Sequence, residues 1–198
     1  SKSGNILLNR GVEGPVIDFG AGLGLGSEEL RKLFPEVHDY EPLAIEGYNP
    51  KFIKASDIPS DAYQGLVNHS VLNVLPQDIR DEAMGDIGRV LQPGGTGIIT
   101  ARTPNAVLGA KGIPGGEPNS IITQGIQGPT FQKGFSLQDL MDYAKYRLGK
   151  KFDISPAPKA DQGRLSGSAI MIQKKADGGP IDFTNKYGTA VGLSLIHI

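Results

Sequence analysis

The chain has no cysteine. A disulfide framework and a thiolate metal site are therefore excluded, and a reducing compartment, the cytoplasm, is the expected setting. Nor is there an excess of charge of either sign: 20 basic residues stand against 21 acidic ones. That balance removes the electrostatic footprint of a nucleic-acid binder, although it does not exclude a nucleic-acid substrate. No apolar run approaches the roughly 18 residues that a membrane span requires, and no signal peptide is visible. The three histidines, His38, His69 and His197, are scattered without metal-ligand spacing and make no case for a metal site.

With 198 residues the chain is long enough for one domain with a full three-layer core. Glycine is abundant (28) and proline is not rare (14), and long loops are expected in the second half. The domain is expected over residues 1–175, with 176–198 an unstructured or non-native tail. The closing Leu193–Ile198 resembles translated sequencing adapter, and the whole is expected to be one module of a longer protein.

Residues 16–26 read V-I-D-F-G-A-G-L-G-L-G. An apolar strand carrying Asp18 breaks into glycines at 20, 22, 24 and 26, and a helix over Ser27–Phe34 follows, with Ser27 as its N-cap. A strand, glycine turn and helix in that order form a small-molecule site, because bare backbone and unpaired helix N–H groups face the ligand.

Elsewhere the pattern alternates. Strands are expected at 37–40, 52–55, 63–70 and 97–101, the last preceded by an abrupt Pro93-Gly94-Gly95 turn. A helix is expected at 77–91, on the periodicity of Ile79, Ala83, Ile87, Val90 and Leu91. Residues 1–15 read as a lead-in, and 103–134 as a Gly/Pro-rich insertion with the length of a lid. Ser136 caps a further helix, and 152–154 with 168–173 form a C-terminal antiparallel strand pair. Alternation of this kind specifies an α/β fold: an open, mostly parallel sheet with helices on both faces. Its ligands sit at the carboxyl ends of the strands, where Gly20, Glu41, Asp57 and Asn68-His69-Ser70 all fall.

The glycine spacing narrows the ligand. A dinucleotide turn wants glycines at i, i+2 and i+5, but position i+5 from Gly20 is Leu25 and from Gly22 is Ser27. A triphosphate loop needs a lysine before its Ser/Thr, and Gly26 stands there instead. The stretch D-F-G-A-G-L-G resembles motif I of the class I S-adenosylmethionine-dependent methyltransferases. Asp57-Ile58 and the L-Q-P-G-G-T-G-I-I run resemble further motifs of that family, and the likeness covers about residues 16–102.

The resemblance implies a Rossmann-like fold and S-adenosylmethionine as cofactor. It implies a cofactor site made of Asp18, Gly20, Ala21, Gly22, Gly24, Glu41, Pro42, Asp57, Ile58, Asn68, His69 and Ser70. Within it, Asp18 lies toward the cofactor's amino group, Glu41 accepts the ribose hydroxyls, Asp57 takes the adenine amino group and Ile58 packs on the ring. The N-H-S-V run at 68–71 lacks the N/D-P-P-Y/F motif of amino-methylating nucleic-acid enzymes, and without cysteine the cysteine route to pyrimidine C5 is closed. A small molecule or a protein remains as methyl acceptor. His69 is the candidate general base, weighed against a simpler role of hydrogen-bonding to backbone beside the cofactor. The alternative is a catalytically inactive module that keeps the fold for binding. A nicotinamide dehydrogenase is a third reading, opposed by the absent i+5 glycine and by Asp18.

Overall fold

The computed structural model describes residues 1–43, 45–125, 128–158 and 167–176. The expected tail, with Leu193–Ile198 and His197, lies outside the described residues, apart from Ala176. The first half runs α1 (Lys2–Asn9), β1 (Val16–Phe19), α2 (Leu25–Arg31), β2 (Val37–Tyr40), β3 (Tyr63–His69), α3 (Gln77–Val90) and β4 (Leu91–Ala101). The second runs α4 (Pro104–Leu108), β5 (Ile113–Pro114), β6 (Ser120–Gly125), β7 (Gly128–Lys133), α5 (Leu137–Leu148), β8 (Phe152–Pro156) and β9 (Ser168–Lys174).

The main sheet has the order β2-β1-β3-β4-β9-β8. The first four strands are parallel, and β9 and β8 close one edge antiparallel, as the C-terminal strand pair was expected to do. Successive side chains of a strand face opposite ways, so each strand feeds two cores. Ile17, Phe19, Leu66, Ile99 and Ile170 pack with Met84 and Ile87 of α3 and Leu140 and Ala144 of α5. Val16, Val67, Ile98 and Ala169 pack with Ile6 and Leu7 of α1 and Leu30 of α2. Helices thus cover both faces, and each fully buried Leu, Ile or Phe in these layers stabilises by about 1.5–3 kcal/mol before entropy is counted.

Local signals explain the elements that matter for the site. Helix α3 buries Met84, Ile87 and Val90 on one stripe and runs directly into β4. Helix α5 starts at a reciprocal cap, in which Ser136 Oγ accepts from the Asp139 N–H and the Asp139 carboxylate accepts from the Ser136 N–H. No described helix is long and apolar enough to cross a membrane.

Five expectations are corrected. The lead-in contains α1, whose first turn is capped by Ser1 and whose Ile6 and Leu7 are buried against the sheet. Helix α2 begins earlier than Ser27, capped by Gly24 in the left-handed region, which leaves Ser27 buried inside the helix. The strand expected at 52–55 is a single parallel bridge between Tyr40 and Phe52, because the chain turns at once into a short 3-10 helix at Ala55–Asp57. Pro93-Gly94-Gly95 is no turn but an irregularity within β4, where the register against β3 jumps between Leu91 and Thr96. The 103–134 insertion holds α4 and a three-stranded antiparallel sheet, β5-β6-β7.

Candidate functional site

The chain leaves β1 for β2 on one side and returns to β3 on the other. Strand order reverses at β1, and in open α/β sheets a crevice opens at that point, outside the carboxyl ends. A cavity of about 590 Å³ lies there. Phe19 and Gly20 line it from the end of β1, Tyr40 and Glu41 from the end of β2, and His69 and Ser70 from the end of β3. The facing wall is α3, which presents Ile79, Glu82, Ala83 and Asp86 at the i, i+3, i+4, i+7 spacing of one helical face. Gly22, Pro42, Leu43, Ala55, Val71, Val74 and Leu75 complete the lining.

The glycine turn is shaped for close approach. Gly20 has φ +92°, and a Cβ there would collide with Val71 Cγ2. The Gly20 and Ala21 N–H groups both donate to Tyr40 O, at 2.8 and 3.0 Å, which ties the turn to the end of β2. Glu41 is 8% exposed. Its Oε2 accepts from the Gly22 N–H at 2.8 Å and its Oε1 from the Leu43 N–H at 3.0 Å. Two backbone donors therefore fix the carboxylate in place, and each oxygen keeps a lone pair for a further donor.

Behind the turn is a second acidic layer. Asp18 points to the α2 side of β1, where Ser27 Oγ donates to its Oδ2 at 2.8 Å. Burial pushes the Asp18 carboxyl up to about 6, against the opposing Ser27 hydrogen bond and with added repulsion from Asp39. Burial acts the same way on Asp39, but donors from Lys51 N, Tyr48 Oη and Arg31 outweigh it and hold that carboxyl below its ordinary value. Tyr48 also sits against Gly24, within 2.5 Å of where a Cβ would be.

His69 lines the cavity at the exposed end of β3, and desolvation of its ring lowers its pKa. Both ring nitrogens are engaged. Nε2 lies 3.0 Å from Ser3 Oγ of α1, and Nδ1 lies 3.2 Å from Thr100 Oγ1 of β4. The imidazole thus bridges α1 and β4, with a hydroxyl against each ring nitrogen.

Of the residues expected at the site, Gly20, Gly22, Glu41, Pro42, His69 and Ser70 line the cavity. Asp18, Ala21, Gly24 and Asn68 stand behind or beside it. Asn68 is fully buried and donates to Phe19 O at 2.7 Å, joining the ends of β3 and β1, while its Oδ1 has no hydrogen-bond partner among the described residues. Asp57 and Ile58 are not brought to the cavity: Asp57 is exposed on the 3-10 turn and Ile58 is in the core. From that segment it is Ala55 that faces inward. Arg89 holds the segment down, donating to Ala55 O at 2.8 Å, to Ile58 O at 2.7 Å and to Asp86 Oδ1 at 3.0 Å. The α3 wall escaped the sequence reading. Its one available signal was Ile79, placed on the buried stripe but 49% exposed at the rim.

No protein-family model matches the chain, and no curated protein matches it in sequence. Solved structures match its fold. The Burkholderia thailandensis 1,6-didemethyltoxoflavin N1-methyltransferase, solved with 1,6-didemethyltoxoflavin and S-adenosylhomocysteine, superposes with a TM-score of 0.58 at 15% identity, over 89% of this chain and 77% of that one. CalS10, an amino pentose methyltransferase of Micromonospora echinaspora solved with S-adenosylmethionine bound, gives 0.58 at 14% identity, over 87% and 88%. An S-adenosylmethionine-dependent methyltransferase of Mesorhizobium loti gives 0.54 at 12%, over 87% and 97%. The chain therefore has the class I S-adenosylmethionine-dependent methyltransferase fold.

Proposed function

We propose that the cavity binds S-adenosylmethionine and that the chain transfers its methyl group to a small-molecule or protein acceptor. Glu41 carries the reading. It is a carboxylate at the switch point, fixed by the glycine turn's own N–H and still able to accept two hydroxyl donors. The charge of the site supports it too. Glu41, Glu82 and Asp86 line the cavity, and no lysine or arginine is among its lining residues. A pyrophosphate would be repelled there, whereas a sulfonium and an ammonium are attracted. The solved structures of this fold that hold S-adenosylmethionine or its demethylated product point the same way.

The cofactor supplies a methyl carbon activated on a sulfonium, open to in-line displacement. The residues of this chain have the rest of the work. The bare backbone at Gly22, with open space where a Cβ would stand, admits the cofactor closely, and Glu41 orients the ribose. Tyr40, Val71, Val74 and Ile79 form the apolar walls that exclude water. Rate enhancement comes from positioning and desolvation, and His69 is given no role as base, since both its nitrogens are occupied. We assign the acceptor side to the 103–134 insertion, because β7 packs against residues 72–74 beside the cavity wall.

Calorimetric titration of S-adenosylmethionine into the wild type and Gly22→Arg tests the reading. Binding by the wild type, weakened at least tenfold in the variant, supports it. No binding by the wild type sinks it. Binding without formation of S-adenosylhomocysteine from any cell-extract acceptor would favour the non-catalytic module instead.

A further inference from the structure

We infer that Glu82 on α3, and not Asp57, reads the amino group of the cofactor's adenine. The inference rests on the S-adenosylmethionine reading above and adds to it the residue that discriminates the base.

Three carboxylates line the cavity, and two of them already accept donors from the protein. Both oxygens of Glu41 accept backbone N–H groups, and Asp86 Oδ1 accepts from Arg89 Nε. The Glu82 side chain has no hydrogen bond and no ion pair among the described residues. Its place along the cavity matters as well. Glu41 stands between the glycine turn, whose Gly22 N–H it accepts at 2.8 Å, and the segment leading to Ala55, where its own N–H donates to Phe52 O at 3.1 Å. A ribose held at Glu41 sends its base onward, away from the glycine turn and toward Ala55. Arg89 ties Ala55 O and Asp86 together at that end. Glu82 lies one turn from Asp86 on the same helical face. Leu43, Ala55, Ile79 and Ala83 supply apolar surface for the flat purine there. An ionised carboxylate only accepts, and the adenine amino group is the donor on the base edge that it would meet. Asp57, outside the cavity, is not placed to do this.

The base itself supplies the test. In the hypoxanthine counterpart of S-adenosylhomocysteine, S-inosylhomocysteine, a carbonyl replaces the amino group. A carboxylate would then face an acceptor, whereas a glutamine can turn its own N–H to that carbonyl or its oxygen to the amino group. Calorimetry with both compounds on the wild type, Glu82→Gln and Asp57→Asn reads the difference, with thermal melting to confirm that each variant folds. The wild type should bind the adenine compound at least about tenfold tighter than the hypoxanthine one. Glu82→Gln should narrow that preference about tenfold, and Asp57→Asn should keep it. An unchanged preference in Glu82→Gln, or one lost in Asp57→Asn, overturns the assignment while the cofactor reading stands. If the wild type binds neither compound, the cofactor reading falls and the assignment falls with it.

Discussion

Ser27 Oγ donates to Asp18 Oδ2 at 2.8 Å from inside α2, on the side of β1 away from the cavity. The pair joins the first strand to the first helix after the glycine turn, and it keeps a carboxyl buried where its charge is costly. Asp18 is 4% exposed and titrates at about 6 in the folded chain, against an ordinary value of 3.8. The folded state thus holds this proton more tightly than the unfolded one. Its contribution to stability is complete below 3.8 and is lost as pH rises to about 6. The size of that loss is on the order of 3 kcal/mol. Asp18→Asn keeps an acceptor for Ser27 and cannot ionise. Urea melts between pH 4 and 7 should show the fall in the wild type and a flatter profile in the variant. Parallel profiles would contradict the burial of an ionisable carboxyl.

The same titration reaches the ligand. A cation bound at the glycine turn favours ionised Asp18, so binding should release a proton and tighten as pH rises through about 6. Calorimetry in buffers of different ionisation heat measures the proton count. Asp18→Asn should release fewer protons than the wild type; equal release would place the proton elsewhere.

Because Ser3 and Thr100 occupy both nitrogens of His69, its removal should act on stability more than on chemistry. His69→Gln should lower stability by about 1 kcal/mol, the worth of a typical net hydrogen bond. Desolvation lowers the His69 pKa, so the neutral ring's contribution is present above the ordinary value of 6.5 and is lost as pH falls through the lower folded value. Once an acceptor is known, the pH–rate profile should keep its shape in His69→Gln. Loss of an ionisation from that profile would restore His69 as a base.

The insertion is held by a buried cation. Arg80 is 3% exposed; it donates to Leu75 O at 2.9 Å and pairs with Glu117, which precedes β6. Its guanidinium lies 5.5 Å from the Phe135 ring centroid and 5.6 Å from that of Tyr143. Glu117→Ala strands that charge and should cost about 2–4 kcal/mol, somewhat below a fully buried pair because Glu117 is partly open. Adding Arg80→Met should recover part of the loss, since no unpaired charge remains. Denaturant midpoints of the two single variants and the double variant decide it. Strictly additive losses would mean that the two residues do not act as a pair.

Much of this was legible in the chain, and the misses have physical causes. The D-x-G-x-G-x-G turn and Glu41 were visible because their residue types follow from backbone geometry and ligand charge. The stripe of α3 and the Ser136 cap of α5 are local signals, and they located both helices within a residue or two. Ser27 has the residue type of an N-cap, but Gly24 in the left-handed region starts α2 three residues sooner. The Phe52–Ala55 stretch has strand composition, yet Arg89, far along the chain, pins it as a turn. The β5-β6-β7 sheet draws support from Arg80, 37 positions away from Glu117, which no local pattern reports. Asp57 illustrates the same limit at the site. Its type and approximate spacing suited the base, but the 3-10 turn points it to solvent and leaves the cavity wall to α3.

A crystal structure with S-adenosylhomocysteine bound asks the question most directly. The ribose hydroxyls are expected within about 3 Å of the Glu41 carboxylate, with the homocysteine sulfur toward Gly20 and the base toward Ala55 and Glu82. Ligand density away from the ends of β1 and β2, or none at saturating concentration, would contradict cofactor binding at this switch point.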